Sequence, residues 1–181
     1  DSIGWRQRLN PTGEQAKMKI AVTSDIHDNL GNLERALTDI RERGLEALLF
    51  LGDFCAPFTL KQMGDGFSGP VHAVFGNNDG DQFLLSQIAG GLDHVTLCAH
   101  LAELELGGRQ IALNHYPDVA RRLAQSGAYD AVFSGHDHTR NIQILGTTLW
   151  ANPGEVMGRF GDPSYGIYDT ETNDFEHVEL S

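Results

Sequence analysis

The chain has 181 residues, 40% of them hydrophobic and 21% charged, with 25 Asp and Glu against 13 Lys and Arg and a formal net charge of −12. That length and composition suit one globular domain with its own core, and no apolar run of about 18 residues offers a transmembrane helix. The acidic balance argues against stable binding to nucleic acid or to an anionic membrane surface, both of which rely on basic patches. Cys55 and Cys98 are too few for a disulfide framework, so two buried free thiols in a cytoplasmic protein are expected. The start of the chain lacks the apolar core of a signal peptide.

Residues 1–17 show no clear period and carry Pro11 and Gly13; they are expected to be an extension or an expression remnant, with the folded domain spanning 18–181. Met18 to Ser24 reads as a short buried strand, followed by the polar turn Asp25-Ile26-His27-Asp28-Asn29. Leu33, Ala36, Leu37 and Ile40 recur at helical spacing, with Asp28 and Asn29 as expected caps and Gly44 as terminator. Ala47 to Leu51 is a second buried strand ending in Gly52-Asp53, and the βαβ order predicts a parallel pair. A short helix over about 57–63, a third strand over Val71 to Phe75 and a helix around Phe83, Leu84 and Ile88 follow.

The second half is mostly β. Leu101 to Leu106 and Arg109 to Leu113 form a hairpin across Gly107-Gly108. Pro117 to Gln125 reads as a helix with Val119 and Leu123 on one face. Strands are predicted at about 130–134, 142–145, 147–151, 165–169 and 174–179. Roughly nine to eleven strands are too many for one twisted open sheet. A four-layer α-β-β-α sandwich of two mixed sheets flanked by helices accommodates them.

Polar clusters close five of these segments: Asp25-Ile26-His27, Gly52-Asp53, Gly76-Asn77-Asn78-Asp79, Asn114-His115 and Gly135-His136-Asp137-His138. Each alone has a local explanation. Asp25 could cap a helix, Asn77 could make a turn, His115 could be a core histidine and the last pair could sit in an exposed turn. Together they deliver Asp, His and Asn to one sheet edge, beyond the carboxyl ends of strands, where α/β folds bind ligands. Imidazole, carboxylate and amide oxygen without thiolate suit Mn²⁺, Fe, Ni²⁺ or Zn²⁺. Seven candidates, Asp25, His27, Asp53, Asn77, His115, His136 and His138, exceed the needs of one ion but suit two ions that share a bridging carboxylate. Such ions would also neutralise a phosphate that an acidic protein otherwise repels.

The order Asp-x-His, Gly-Asp, Gly-Asn-x-Asp, His, Gly-His-x-His resembles the calcineurin-like metallophosphoesterase superfamily over about residues 18–180. With Ser24-Asp25-Ile26-His27 and Asn152-Pro153-Gly154, it is most similar to the small bacterial and archaeal phosphodiesterase branch. The resemblance implies a four-layer sandwich, two divalent ions with Mn²⁺ favoured, and a small phosphate-ester substrate attacked by hydroxide between the metals. It assigns Asp25, His27 and His138 to one metal, Asn77, His115 and His136 to the other, and Asp53 to both. His136 and His138 thus serve different ions, and Asp137 points away.

Two positions depart from the superfamily pattern. Asn78 stands where a histidine commonly assists the leaving group; it donates hydrogen bonds but cannot act as a general acid. Tyr116 stands where glycine is usual and could pack or narrow the pocket. Asp79 is expected to orient the Asn77-Asn78 turn, Arg140 and Arg159 could reach a phosphate, and His72, His94, His100 and His177 fit no cluster. Two other readings of the same fold are a scaffold resembling a retromer subunit with a degenerate metal site, and a phosphomonoesterase or protein phosphatase.

Overall fold

The computed structural model describes residues 16–180; most of the expected extension, residues 1–15, lies outside them. Among the described residues the order is β1 (Lys19–Thr23), α1 (Leu30–Glu42), β2 (Ala47–Phe50), α2 (Pro57–Gly66), β3 (Val71–Ala73), α3 (Gln82–Gly90) and β4 (Val95–Leu97), then β5 (Leu101–Leu106), β6 (Arg109–Asn114), α4 (Pro117–Gln125), β7 (Ala131–Phe133), β8 (Asn141–Leu145), β9 (Thr148–Asn152), β10 (Ser164–Asp169) and β11 (Asp174–Glu179). One sheet has the order β11-β10-β1-β2-β3-β4 and the other β5-β6-β7-β9-β8. Both are mixed: β1–β4 run parallel, β10 pairs antiparallel with β1 and β11 antiparallel with β10, and β6, β7 and β9 are parallel between antiparallel edges β5 and β8.

Three apolar clusters define the four layers. Alternate residues of β1 and β2 face opposite ways. Ala21, Leu48 and Phe50 meet Leu33, Leu37 and Ile40 of α1 and Leu60 and Met63 of α2. Ile20, Val22, Ala47 and Leu49 meet Ile111, Leu113, Phe133 and Leu149 of the second sheet. Strands covered on both faces read as continuous apolar runs, which is how β1 and β2 appear in the sequence. On the far side Ala112 and Val132 pack against Ala120 and Ala124 of α4.

Several local expectations are corrected. The buried stripe of α4 is Ala120 and Ala124 with Leu123 partly covered, while Val119 is exposed; the two small alanines let the helix lie close on its sheet. In α3 the buried positions are Leu85 and Ala89, and Phe83 is 73% exposed. Helix α2 continues to Gly66, and β4 adds a strand where none was expected. Asn29 does cap α1, its side chain accepting from Asn32 N–H at 3.1 Å, but Asp28 serves α2 instead, accepting from Ala56 N–H and Thr59 Oγ1 at 2.9 and 2.6 Å. Cys55 and Cys98 are free but only half-buried. No helix among the described residues is long and apolar enough to cross a membrane.

Candidate metal centre

Turns at the strand ends of both sheets interlock at one edge. The turn after β1 donates its backbone to the turn after β2, through Asp25 N–H to Gly52 O and through Ile26 and His27 N–H to Asp53 O, each 3.1 Å. The turn after β7 docks on the first sheet through His136 N–H to Asp25 Oδ2 at 3.0 Å. Glycine makes these approaches possible. A Cβ on Gly135 would lie 1.9 Å from Ser24 Oγ, and one on Gly76 would lie 2.1 Å from Asp53 Oδ1. Seven non-glycine residues here, Asp25, His27, Asp28, Asp53, Cys55, His136 and His138, have φ between 45° and 74°. Left-handed backbone costs energy for such residues and concentrates at functional sites.

All seven candidate ligands come together. His27 Nε2 lies 3.7 Å from Asp25 Oδ1 and 3.3 Å from Asp53 Oδ2, and His138 Nε2 lies 3.6 Å from Asp25 Oδ1. His115 Nε2 lies 3.6 Å from the same Asp53 oxygen, which therefore faces both histidines. On that side Asn77 Oδ1 is 2.9 Å from His115 Nε2 and 2.7 Å from His136 Nδ1, and the two ring nitrogens are 3.2 Å apart. Asp25 and His115 are fully buried and Asp53 nearly so. Ligating atoms of Asp25, His27 and His138, and of Asp25, Asp53 and His115, form two groups within 4.8 Å.

Divalent ions fit this arrangement. Asp25 Oδ1 and His27 Nε2 are buried without a hydrogen-bond partner, an expensive state for polar atoms. The Asp25 and Asp53 carboxylates push His27 up to about 9 against the opposing effect of burial, and a pocket that draws a proton so strongly also draws a cation. His115 Nδ1 lies 2.8 Å from Leu51 O, an acceptor, so it carries the proton and Nε2 presents a lone pair. That lone pair faces the amide oxygen of Asn77. Ligand atoms held at about 2.0–2.2 Å from one ion lie roughly 3 Å apart, which is the spacing of Asn77, His115 and His136.

Asn78 and Asp79 stand behind the candidate ligands. Asn78 donates to Asp53 twice, from its backbone N–H to Oδ1 and from Nδ2 to Oδ2, both at 2.8 Å. Burial alone would raise the Asp53 carboxyl, but His27 and these two bonds outweigh it and hold the group well below the usual carboxylate range. Asp79 accepts from Gly76, Asp53 and Cys55 N–H, tying the turns after β2 and β3 together. Asp137 turns away to Asn152 Nδ2 and Thr139 N–H. Tyr116 sets its edge against His115 and His136, with centroids 5.2 and 5.0 Å away. Arg140 is paired with Glu179 at 2.5 Å, and the Arg159 guanidinium lies over Phe160. His72 is half-buried in β3, His94 bonds Gly64 O, His100 packs on Phe75 and His177 bonds Asn152 O.

One residue at the site escaped the sequence. Glu155, 1% exposed in the turn after β9, lies 2.5 Å from His138 Nδ1 through Oε2. Burial pushes its carboxyl up, but the His138 ring and the N–H groups of Phe160 and Gly161 outweigh burial and hold it below its ordinary value. The Asn152-Pro153-Gly154 run that precedes it was the available signal, since it marks a further strand end beside the site.

The family model described as the calcineurin-like phosphoesterase superfamily domain matches residues 18–173. Phosphodiesterase MJ0936 of Methanocaldococcus jannaschii is 30% identical over 90% of this chain and 99% of its own. Phosphodiesterase YfcE of Escherichia coli K12 is 29% identical over 85% of this chain and 89% of its own. A solved structure of an archaeal phosphodiesterase superposes with a TM-score of 0.83 at 29% identity, covering 90% of this chain and all of that one. The interlocked strand-end turns, the four layers and these matches agree: the chain belongs to the calcineurin-like phosphoesterase superfamily.

Proposed function

We propose that this enzyme, a metal-dependent phosphodiesterase, hydrolyses small phosphodiesters at a two-metal centre formed by Asp25, His27 and His138 on one side, Asn77, His115 and His136 on the other, and Asp53 between them. One observation carries the reading: a single Asp53 oxygen lies 3.3 and 3.6 Å from histidine nitrogens of opposite halves. When bound, two divalent ions would supply the charge that neutralises a phosphate and the acidity that ionises a water. Mn²⁺ is the favoured ion, and Fe, Ni²⁺ or Zn²⁺ suit the same donors.

The chain's own groups define the rest. Asn78 fixes both oxygens of Asp53, so the bridge is held before substrate arrives. Because that amide can donate but cannot release a proton, the leaving oxygen departs without general-acid help. Rate should then depend steeply on leaving-group pKa, with activated aryl phosphodiesters cleaved well and poor alkoxides slowly. Rates across a series of aryl phosphodiesters check this, and a flat dependence overturns it.

A metal-by-substrate matrix on chelator-treated protein tests the whole reading. Two equivalents of Mn²⁺ and turnover of diesters above monoesters are expected. Protein that binds no stoichiometric metal and turns over nothing would be the scaffold, and monoester preference would make it a phosphomonoesterase.

A further inference from the structure

Glu155 is nearly fully buried, yet it is surrounded by donors. Its Oε1 accepts from the N–H groups of Arg159, Phe160 and Gly161 at 2.9, 2.5 and 2.9 Å. Three consecutive backbone donors converging on one oxygen form a small anion-binding nest, and they use up that oxygen. The other oxygen, Oε2, is left for His138 Nδ1 at 2.5 Å. A carboxylate only accepts, so Nδ1 must carry the proton there, and the ring's lone pair lies on Nε2, the atom turned toward Asp25. The same ring is walled by Phe160, edge-on with centroids 5.1 Å apart.

We propose that Glu155 is a positioning residue that sets the tautomer and orientation of His138 for metal binding and, with its other oxygen, folds the 159–161 turn against that same ring. The inference rests on the two-metal reading above. Glutamine cannot replace glutamate here. If its oxygen faces the three N–H groups, its NH₂ faces Nδ1, which must then accept, so the ring proton moves to Nε2 and blocks the ligand lone pair. If its oxygen faces Nδ1, its NH₂ meets three backbone donors and the turn is released. Aspartate keeps the acceptor chemistry one methylene short.

The test begins with unaltered full-length protein, chelator-treated and labelled with ¹⁵N-histidine, with the His138 signals identified by their loss in His138→Ala. Expected is a ring protonated at Nδ1; a ring protonated at Nε2 overturns the proposal without recourse to any Glu155 variant. Glu155→Gln should shift that ring to the other tautomer or to a mixture, and should weaken one of two Mn²⁺ equivalents about 10- to 100-fold by calorimetric titration. Glu155→Asp should keep the wild-type tautomer and recover part of the affinity. A Glu155→Gln protein that only unfolds more easily, with tautomer and Mn²⁺ affinity unchanged, assigns Glu155 a merely structural role and overturns the proposal. Wild-type protein that binds no Mn²⁺ would sink the two-metal reading instead, and the His138 tautomer would distinguish that failure from this one.

Discussion

Asp25, His27 and His138 present side chains 0, 18 and 14% exposed, whereas in the opposite half Asn77 and His136 are exposed beside a fully buried His115. The buried half carries the unpartnered atoms Asp25 Oδ1 and His27 Nε2. Its two histidines are also gripped from behind, His138 by Glu155 at 2.5 Å and His27 by Cys55 Sγ at 3.4 Å. In the open half, among the described residues, only His115 is gripped that way, by Leu51 O, and the ring of Tyr116 forms the wall. Low dielectric strengthens the pull of a buried carboxylate on a cation. One half is thus a largely buried cradle, and the other opens toward solvent. The difference lies both in what surrounds the candidate ligands and in their oxygen donor, since each half offers two histidines but one adds a carboxylate and the other a neutral amide.

Asp53 joins the halves, so its loss should break both. Asp53→Asn keeps the shape and removes the charge; turnover is expected to fall about 10³-fold, the scale of losing a preorganised electrostatic group, and both Mn²⁺ equivalents should weaken. Initial rates on an aryl phosphodiester check this, and survival of more than about one-tenth of the activity sinks the bridging assignment. The next effect separates the halves. His27→Ala should weaken Mn²⁺ binding about tenfold more than His136→Ala, because water replaces an exposed ligand more easily than a buried one. Calorimetric titration of the two variants decides it, and equal losses would break the contrast.

The parts of this site that were legible in the sequence share one property: they are strand ends. An apolar run followed by Asp-x-His or Gly-His-x-His fixes both the element and the place where its polar residues emerge, so the seven candidate ligand positions could be gathered without knowing the loops. Glu155 follows no such run directly, standing after Asn152-Pro153-Gly154, and its partners at 138 and 159–161 meet it only through the tertiary fold. Strand β4, Val95–Leu97, was hidden for another reason. Three residues carry too little alternation to be read, and its existence depends on pairing with β3. Helix α4 shows the limit of periodicity: the larger side chain of Val119 suggested the covered face, but closeness to the sheet favours Ala120 and Ala124.

Asp28 gives the smallest expected effect and the finest probe of the contrast. Local spacing assigns it to α1, the helix that follows it, yet its carboxylate reaches the start of α2, where the capping residue Ala56 offers no side-chain acceptor. Asp28 therefore caps a helix 28 residues away from a left-handed backbone position, with φ 58°. Asp28→Ala should cost about 1 kcal/mol, the usual worth of a lost cap, read as a lower urea midpoint with unchanged slope. Its neighbour His27 and the Cys55 that precedes Ala56 both belong to the buried half. Mn²⁺ affinity should consequently drop in that half and hold in the half formed by Asn77, His115 and His136. Equal weakening of both equivalents would mean that the interlocked turns transmit strain across the whole edge, and that the two halves respond as one unit.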